Sequence, residues 1–195
     1  TCAVAEAIMN GGSEKDFILS MKKYGRMYPH AGYGGRFCVW LRSKDSESYN
    51  SFGNGSAMRV SQCAWVMDCG FCVRTGMWPS RDLARLSASV THNHPEGIKG
   101  AQATALCVFM ARTGTTKKQI RERVTELFGY DLHFSCDDIR STYGWGATCQ
   151  DTVPQAIVAF LDGTDFEDCV RNAISIGGDS DTLGCITGSI AEAFY

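Results

Sequence analysis

Apolar residues recur at helical spacing along most of the chain, and this pattern limits the possible folds more than any other feature. The i, i+3, i+4, i+7 spacing covers residues 3–9, 57–67, 101–111, 118–128, 153–161, 166–176 and 183–194. Alternation with a period of two, which is typical of half-buried strands, is almost absent. The sequence therefore predicts an all-α fold, in a single domain over residues 1–195, whose loops present the functional side chains.

The overall composition gives no support for a nucleic-acid or membrane partner. With 195 residues and 44% apolar content, the chain can build a continuous core. Its 19 basic and 21 acidic residues give a net charge of −2, so charge provides no support for a nucleic-acid partner. No run of 18 apolar residues occurs, so no membrane partner is expected.

The chain has ten cysteines, which are scattered along the sequence rather than concentrated as in a small disulfide scaffold. We expect most of them to be buried thiols. The close pair Cys69 and Cys72 lacks a second CxxC motif or a downstream histidine pair, which favours apolar filling over a structural zinc site.

A short acidic turn at residues 177–182, with the sequence GGDSDT, comes just before the last apolar segment. The spacing predicts that a helix begins between Asp179 and Thr182. In one interpretation Asp179 or Ser180 caps this helix, and Asp181 complements its dipole. In the other, two carboxylates and a hydroxyl bind Mg²⁺, Mn²⁺ or Ca²⁺, since close carboxylates in apolar surroundings repel unless a cation or a proton lies between them.

An EF-hand is a further metal-binding alternative for the same turn. Asp179, Asp181 and Gly184 match positions 1, 3 and 6 of that loop. Leu183 and Ile190, however, stand where a ligand and the bidentate glutamate are needed. The sequence therefore excludes an EF-hand.

A glycine loop at residues 52–59, with the sequence FGNGSAMR, leads into a second predicted helix, with Asn54 or Ser56 as its cap. Free N–H groups and the guanidinium of Arg59 favour an anion such as phosphate there. The alternative is an ordinary capped turn in which Arg59 pairs with an acid.

Two other loops carry groups able to contact a ligand. His92 and His94, before a helix start at Pro95, could bind a metal or a ligand, or could serve as structural caps. Tyr143 and Trp145 could stack on a base or could seal the edge of the core. Further along, Asp151 and Thr152 before Pro154 indicate plain helix capping.

Four motifs, in this order and at these spacings, resemble the ADP-ribosylglycohydrolase family over essentially the whole chain. They are SFGNGSAMR, THNHPEGIKGAQA, DTVPQAI and NAISIGGDSDTLGCITGSIAEAFY. The resemblance implies a compact orthogonal all-α domain with two Mg²⁺ or Mn²⁺ ions in a central cleft. It also implies hydrolysis of the N- or O-glycosidic bond that joins ADP-ribose to a modified side chain.

The same resemblance implies roles for individual residues. Asp179, Asp181 and Thr182 would be metal ligands, and the two aspartates would also be catalytic. Substrate-binding roles fall to Asn54, Gly55, Ser56, Met58, Arg59, His92 and Tyr143, with residues 54–56 around the diphosphate and ribose. The expected partner is an ADP-ribosylated protein or ADP-ribose, and the expected state is a cytoplasmic monomer.

In the family the remaining metal ligands lie upstream, in a Gly-Asp motif with a nearby glutamate and in a Thr-Asp-Asp-Thr motif. The opening TCAVAEAIM resembles the stretch that directly follows the second motif. We therefore expect this sequence to supply half of the metal cluster. It would be part of a longer enzyme, a non-catalytic ADP-ribose-binding or nucleotide-binding relative, or a purely structural relative in which the acidic turn is only a cap.

Overall fold

The computed structural model describes residues 1–66 and 79–195. Within these ranges the chain forms twelve helices and no strand, which confirms the predicted all-α class. The helices are α1 (Cys2–Met9), α2 (Glu14–Met27), α3 (Gly35–Arg42), α4 (Gly55–Met58), α5 (Gln62–Trp65), α6 (Pro79–Ser89), α7 (Pro95–Arg112), α8 (Lys117–Phe128), α9 (Cys136–Ile139), α10 (Cys149–Asp162), α11 (Phe166–Ser175) and α12 (Ser180–Phe194).

The central helix is α7, which is buried on almost all sides. Ala101 and Ala105 face a core cluster built with α1, α2, α3 and α6, whereas Leu106 and Cys107 belong to a second cluster with α8, α10, α11 and α12. A helix that contacts other helices all round has no polar face to keep in water. Helix α7 therefore joins the two clusters and holds the helices around it in place.

The predicted segments and the observed helices differ in two respects. The segment 57–67 was predicted as one helix but forms two short ones, α4 and α5, and residue 67 lies outside the described residues. Four helices did not stand out in the sequence, namely α2, α3, α6 and α9. In α2 the buried positions include Ser20, Lys22 and Gly25, so apolar spacing only partly marks its inner face.

Helix α10 is capped differently from the prediction. Thr148 occupies the N-cap position, and its hydroxyl accepts a hydrogen bond from the backbone N–H of Asp151 at 3.2 Å. Asp151 and Thr152 lie within the first turns of the helix, so the prediction that they are caps was wrong. Asp151 Oδ2 accepts from the Thr148 hydroxyl at 2.7 Å, whereas the Thr152 hydroxyl is directed to residues outside the cap.

The last two helices pack closely through glycines of α12. A Cβ atom built at Gly184 would lie 3.3 Å from Ile174 Cδ1, and one at Gly188 would lie 3.7 Å from Val170 Cγ2. Small residues at these positions let α11 approach the last helix. This contact fixes the start of α12, where the acidic turn lies.

Most described cysteines are buried, as the sequence indicated. All eight are free thiols, and Cys63, Cys107, Cys136, Cys149 and Cys169 are buried. The pair Cys69 and Cys72 lies outside the described residues. Among the helices of the described ranges, none has the length and apolar character needed to cross a membrane.

Candidate functional site

Four loops, each of which precedes a helix, meet on one side of α7. The loop before α4 pairs with the loop before α10 through an isolated bridge between Gly53 and Thr148. In the same pairing, the Asn54 N–H donates to the Ala147 carbonyl at 2.9 Å. The loops before α7 and α12 contact the loops before α4 and α10 through side chains. The structure thereby brings together most of the residues that the sequence singled out.

The contact between the glycine loop and the acidic turn is direct. Asn54 Nδ2 donates to Asp179 Oδ2 at 2.6 Å and to Thr152 Oγ1 at 3.0 Å. All three residues are buried, with Thr152 fully enclosed. Buried hydrogen bonds to a carboxylate are strong, and this one joins residues 125 positions apart.

Asp179 stands at the predicted helix start but does not act as a cap. It occupies the N-cap position of α12 and makes no side-chain capping bond. Asp181 Oδ1 instead accepts from the neighbouring Thr182 N–H at 2.8 Å. Asp179 therefore occupies the position of a cap, as one interpretation predicted, but its carboxylate makes no capping hydrogen bond.

The electrostatics of the acidic turn favour a cation or a proton between its two carboxyl groups. Burial, and next the adjacent carboxyl group of Asp181, raise the pKa of Asp179 above its usual value. A divalent cation would remove this repulsion, and the available donors are the hard oxygens that Mg²⁺ and Mn²⁺ prefer. The acidic turn therefore offers side chains suited to part of a divalent-metal site, namely Asp179, Asp181 and Thr182.

The remaining ligands of such a site do not come from the described chain. Across residues 1–66 and 79–195, no group of three or more His, Cys, Asp or Glu side chains could hold a metal ion. The two aspartates and one threonine of the turn supply fewer oxygens than the six or more that Mg²⁺ and Ca²⁺ take. Any metal there needs water, substrate or further residues as additional ligands.

Tyr143 lies against the acidic turn. Its hydroxyl donates to the Asp151 carbonyl at 2.6 Å. Gly178 has φ +67°, and a Cβ atom at this position would lie only 2.4 Å from Tyr143 Cε1. Glycine is therefore required both for the left-handed conformation and for the close approach of the ring. Tyr143 thus fixes the backbone directly before Asp179.

His92 belongs to a buried chain of hydrogen bonds. Arg59 donates to Thr91 Oγ1 at 2.9 Å, and Thr91 Oγ1 lies 2.7 Å from His92 Nδ1. The threonine hydroxyl can accept from the arginine and still exchange a hydrogen bond with Nδ1 in either tautomer of the imidazole. Burial, followed by the charges of Arg59 and Arg36, lowers the pKa of His92 to about 3. His92 is therefore neutral at physiological pH.

The Nε2 atom of His92 is directed towards the glycine loop. A Cβ atom at Gly53 or Gly55 would lie 3.6 Å from it. A Cβ atom at either position would be in ordinary van der Waals contact with the imidazole, so the ring lies close beside the loop backbone. The second histidine of this loop, His94, accepts from Glu96 N–H at 3.1 Å as the N-cap of α7, in agreement with the structural interpretation.

Two other predicted substrate residues, Ser56 and Arg59, make internal contacts. The Ser56 hydroxyl donates to the Gly97 carbonyl at 2.8 Å, and neither Asn54 nor Ser56 makes the predicted capping bond. Arg59 is half-buried and donates to the Ser87 carbonyl and to Thr91 Oγ1, and no acid pairs with it among the described residues. Burial lowers the pKa of Arg59 to about 10. Helix α4 has only four residues, so its dipole adds little for an anion.

Met58 and Trp145 mark the accessible edge of the site. Met58 is 37% exposed, and its sulfur accepts from the Thr182 hydroxyl at 3.5 Å. Trp145 is 76% exposed on the loop that also carries Tyr143. Its indole therefore does not seal the core.

One residue of the network was missed from the sequence. Thr152 contacts Asn54, yet 98 positions separate the two, and no local pattern distinguishes this threonine from a cap. The DTVPQAI motif contains it, but the motif alone does not show which of its side chains turns towards the site.

The chain is similar to known ADP-ribosyl hydrolases. It is 28% identical over 191 residues to ADP-ribosylhydrolase ARH3 of Mus musculus, covering 74% of this chain and 50% of that protein. It is 29% identical over 145 residues to the ADP-ribosyl-[dinitrogen reductase] glycohydrolase of Rhodospirillum rubrum, covering 73% of this chain and 46% of that protein. The chain thus spans about half of the length of these relatives.

A solved structure and a family model extend the similarity to the whole chain. A structure described as an ADP-ribosylglycohydrolase-related protein complex matches with a TM-score of 0.73 and 25% identity, covering 100% of this chain and 68% of that one. The family model for ADP-ribosylglycohydrolase matches residues 1–195. The chain therefore belongs to the ADP-ribosylglycohydrolase family.

Proposed function

We propose that this chain carries the ADP-ribose-binding part of a metal-dependent ADP-ribosyl hydrolase. Its substrate would be an ADP-ribosylated protein side chain or a related ADP-ribose conjugate. The observation that carries the proposal is the bond between Asn54 and Asp179, since it makes the glycine loop and the acidic turn one site. The relatives named as ADP-ribosyl hydrolases support the same reaction class.

The polar groups at this site suit a sugar. His92 Nε2 lies beside the glycine loop, and the side-chain carbonyl of Asn54 accepts no hydrogen bond within the described residues. Sugar hydroxyls are both donors and acceptors, so they can satisfy the two groups together. The exposed indole of Trp145 would contact the base or the modified side chain.

The carboxylates of the turn would act on the reacting end of the sugar. Glycosidic cleavage develops positive, oxocarbenium-like charge on the ribose, which Asp179 and Asp181 would stabilise. Asn54 holds Asp179 in place for this role. Divalent cations bound by Asp179, Asp181 and Thr182 would supply Lewis-acid polarisation of sugar hydroxyls and water.

A second function, ADP-ribose binding without hydrolysis, is favoured by one observation. The turn supplies only two carboxylates beside the hydroxyls of Ser180 and Thr182, and the described residues complete no larger metal-binding group. In that case the site around Asn54 and His92 would bind the ligand, while no bond would be cleaved.

Release of free ADP-ribose from an ADP-ribosylated protein, with and without Mn²⁺, separates the two functions. In a protein that combines this chain with the remaining metal ligands, we expect metal-stimulated release that Asp179→Asn or Asp181→Asn abolishes with helicity unchanged. Asp137→Asn, at an exposed position outside the site, is the control and should have no effect. Metal-stimulated release retained by both aspartate variants would contradict the hydrolase proposal, whereas binding without any release would favour the second function.

A further inference from the structure

Thr152 has a buried hydroxyl in the first turns of α10. The residue is fully enclosed, and its Oγ1 lies 3.0 Å from Asn54 Nδ2 and 3.4 Å from the Gly146 carbonyl. A hydroxyl can donate once and still accept, so both contacts can form together. Thr148 already caps the helix, and the hydroxyl of Thr152 is therefore not needed for that purpose.

The two acceptors around Asn54 determine the orientation of its amide. Its NH₂ group carries two protons, of which one meets Asp179 Oδ2 and the other meets Thr152 Oγ1. If the amide were reversed, its carbonyl oxygen would face an ionised carboxylate and repel it. With both protons bound, the carbonyl oxygen remains as a free acceptor within the described part of the chain.

We infer that Thr152 is a positioning residue which, by holding the Asn54 amide, presents the Asn54 carbonyl oxygen to a hydroxyl donor of the ligand. The inference deepens the proposed function and rests on it for the identity of that ligand, a ribose diol. A β-branched threonine is well suited to this role, because its side chain has few accessible rotamers and its methyl group fills the enclosed space. Valine would keep this shape and lose the acceptor.

The test compares Thr152→Val with Thr152→Ser, which retains the hydroxyl. Thr187→Val is the matched control, because Thr187 is equally enclosed and bonds to the Ala156 carbonyl at 2.8 Å, away from the site. The first readout is the ¹⁵N–¹H spectrum of the Asn54 side-chain amide, assigned from its disappearance in Asn54→Ala. The second is calorimetric affinity for ADP-ribose in the presence of Mn²⁺.

We expect Thr152→Val to shift or broaden the Asn54 amide signals and to weaken ADP-ribose binding about tenfold, the size of one lost buried hydrogen bond. Thr152→Ser should restore both readouts. Thr187→Val should lower the melting temperature and change neither readout. This contrast separates positioning from a loss of general stability.

Unchanged amide signals in Thr152→Val would overturn the inference, whatever the ligand result. Shifted signals with unchanged ADP-ribose affinity would also overturn it, because the Asn54 carbonyl would then not serve the ligand. If the unsubstituted chain binds no ADP-ribose while the amide signals follow Thr152, the proposed function fails and the positioning of Asn54 stands.

Discussion

The side-chain amide of Asn54 lies 2.6 Å from a carboxylate oxygen of Asp179, across 125 positions of sequence. Asn54 follows the bridge between Gly53 and Thr148, and Asp179 precedes a helix held in place by α11. Both side chains are buried, so water cannot replace the bond at low cost. The two parts of the site are therefore expected to respond together when either is changed.

Replacement of Asn54 should affect binding and stability together. In Asn54→Ala the carboxylate of Asp179 and the hydroxyl of Thr152 lose their donor, at a cost of about 1–3 kcal/mol in the free energy of unfolding. ADP-ribose affinity should fall by at least about tenfold, as measured by calorimetry. Asn10→Ala, at an exposed helix end, is the control and should change neither quantity. A variant at Asn54 with full affinity would contradict the role assigned to this bond.

The two glycines before Asp179 allow a matched comparison. Gly177 and Gly178 have φ +80° and φ +67°, but only a Cβ atom at Gly178 would collide with Tyr143. Gly177→Ala should cost about 1–2 kcal/mol for its left-handed backbone, and Gly178→Ala should cost about 1–3 kcal/mol more. Denaturant unfolding measures both values. Adding Tyr143→Ala to Gly178→Ala should recover part of the extra loss in the free energy of unfolding. Equal losses in Gly177→Ala and Gly178→Ala would show that the Tyr143 ring does not contact the turn closely.

The buried His92 should make the protein less stable in acid. Its pKa is lowered from 6.5 to about 3 in the folded chain, so the unfolded chain binds the proton more readily between these values. Stability from this group is fully present above 6.5 and is lost as the pH falls towards 3. The free energy of unfolding should therefore decrease more steeply with acid in the parent chain than in His92→Gln.

Unfolding measured at about pH 4 and about pH 7 tests this expectation. In His30→Gln, at an exposed position, the free energy of unfolding should depend on pH as it does in the parent chain. If His92→Gln also keeps the parental pH dependence, burial does not hold the imidazole neutral.

Local signals in the sequence predicted the helices and helix starts that depend on neighbouring residues. Pro95 marks the start of α7, and the residues after Gly178 mark the start of α12, because first-turn proline and polar N-cap residues favour these positions by local backbone chemistry. Apolar spacing did not predict the helix bounds where contacts with other elements override local preferences. Residues 57–67 split after Met58, whose carbonyl accepts from Cys185 while Arg59 turns inward to Thr91.

The site was only partly predictable for a similar reason. Asp179, Asn54 and His92 were identified from their motifs, but the motifs do not specify side-chain direction. Arg59 donates to Thr91, a contact that its motif does not reveal, while Thr152 was predicted as a cap and instead bonds to Asn54. These assignments depend on contacts between distant parts of the chain, which become visible only in three dimensions.

The most direct test of the account is calorimetric titration of ADP-ribose into this chain, with and without excess Mg²⁺ or Mn²⁺, repeated with Asp181→Ala. The account predicts metal-dependent binding that the substitution removes, since Asp181 belongs to the turn that would hold the cation. Binding that is equally strong without metal and in Asp181→Ala, or no binding under any condition, would contradict it.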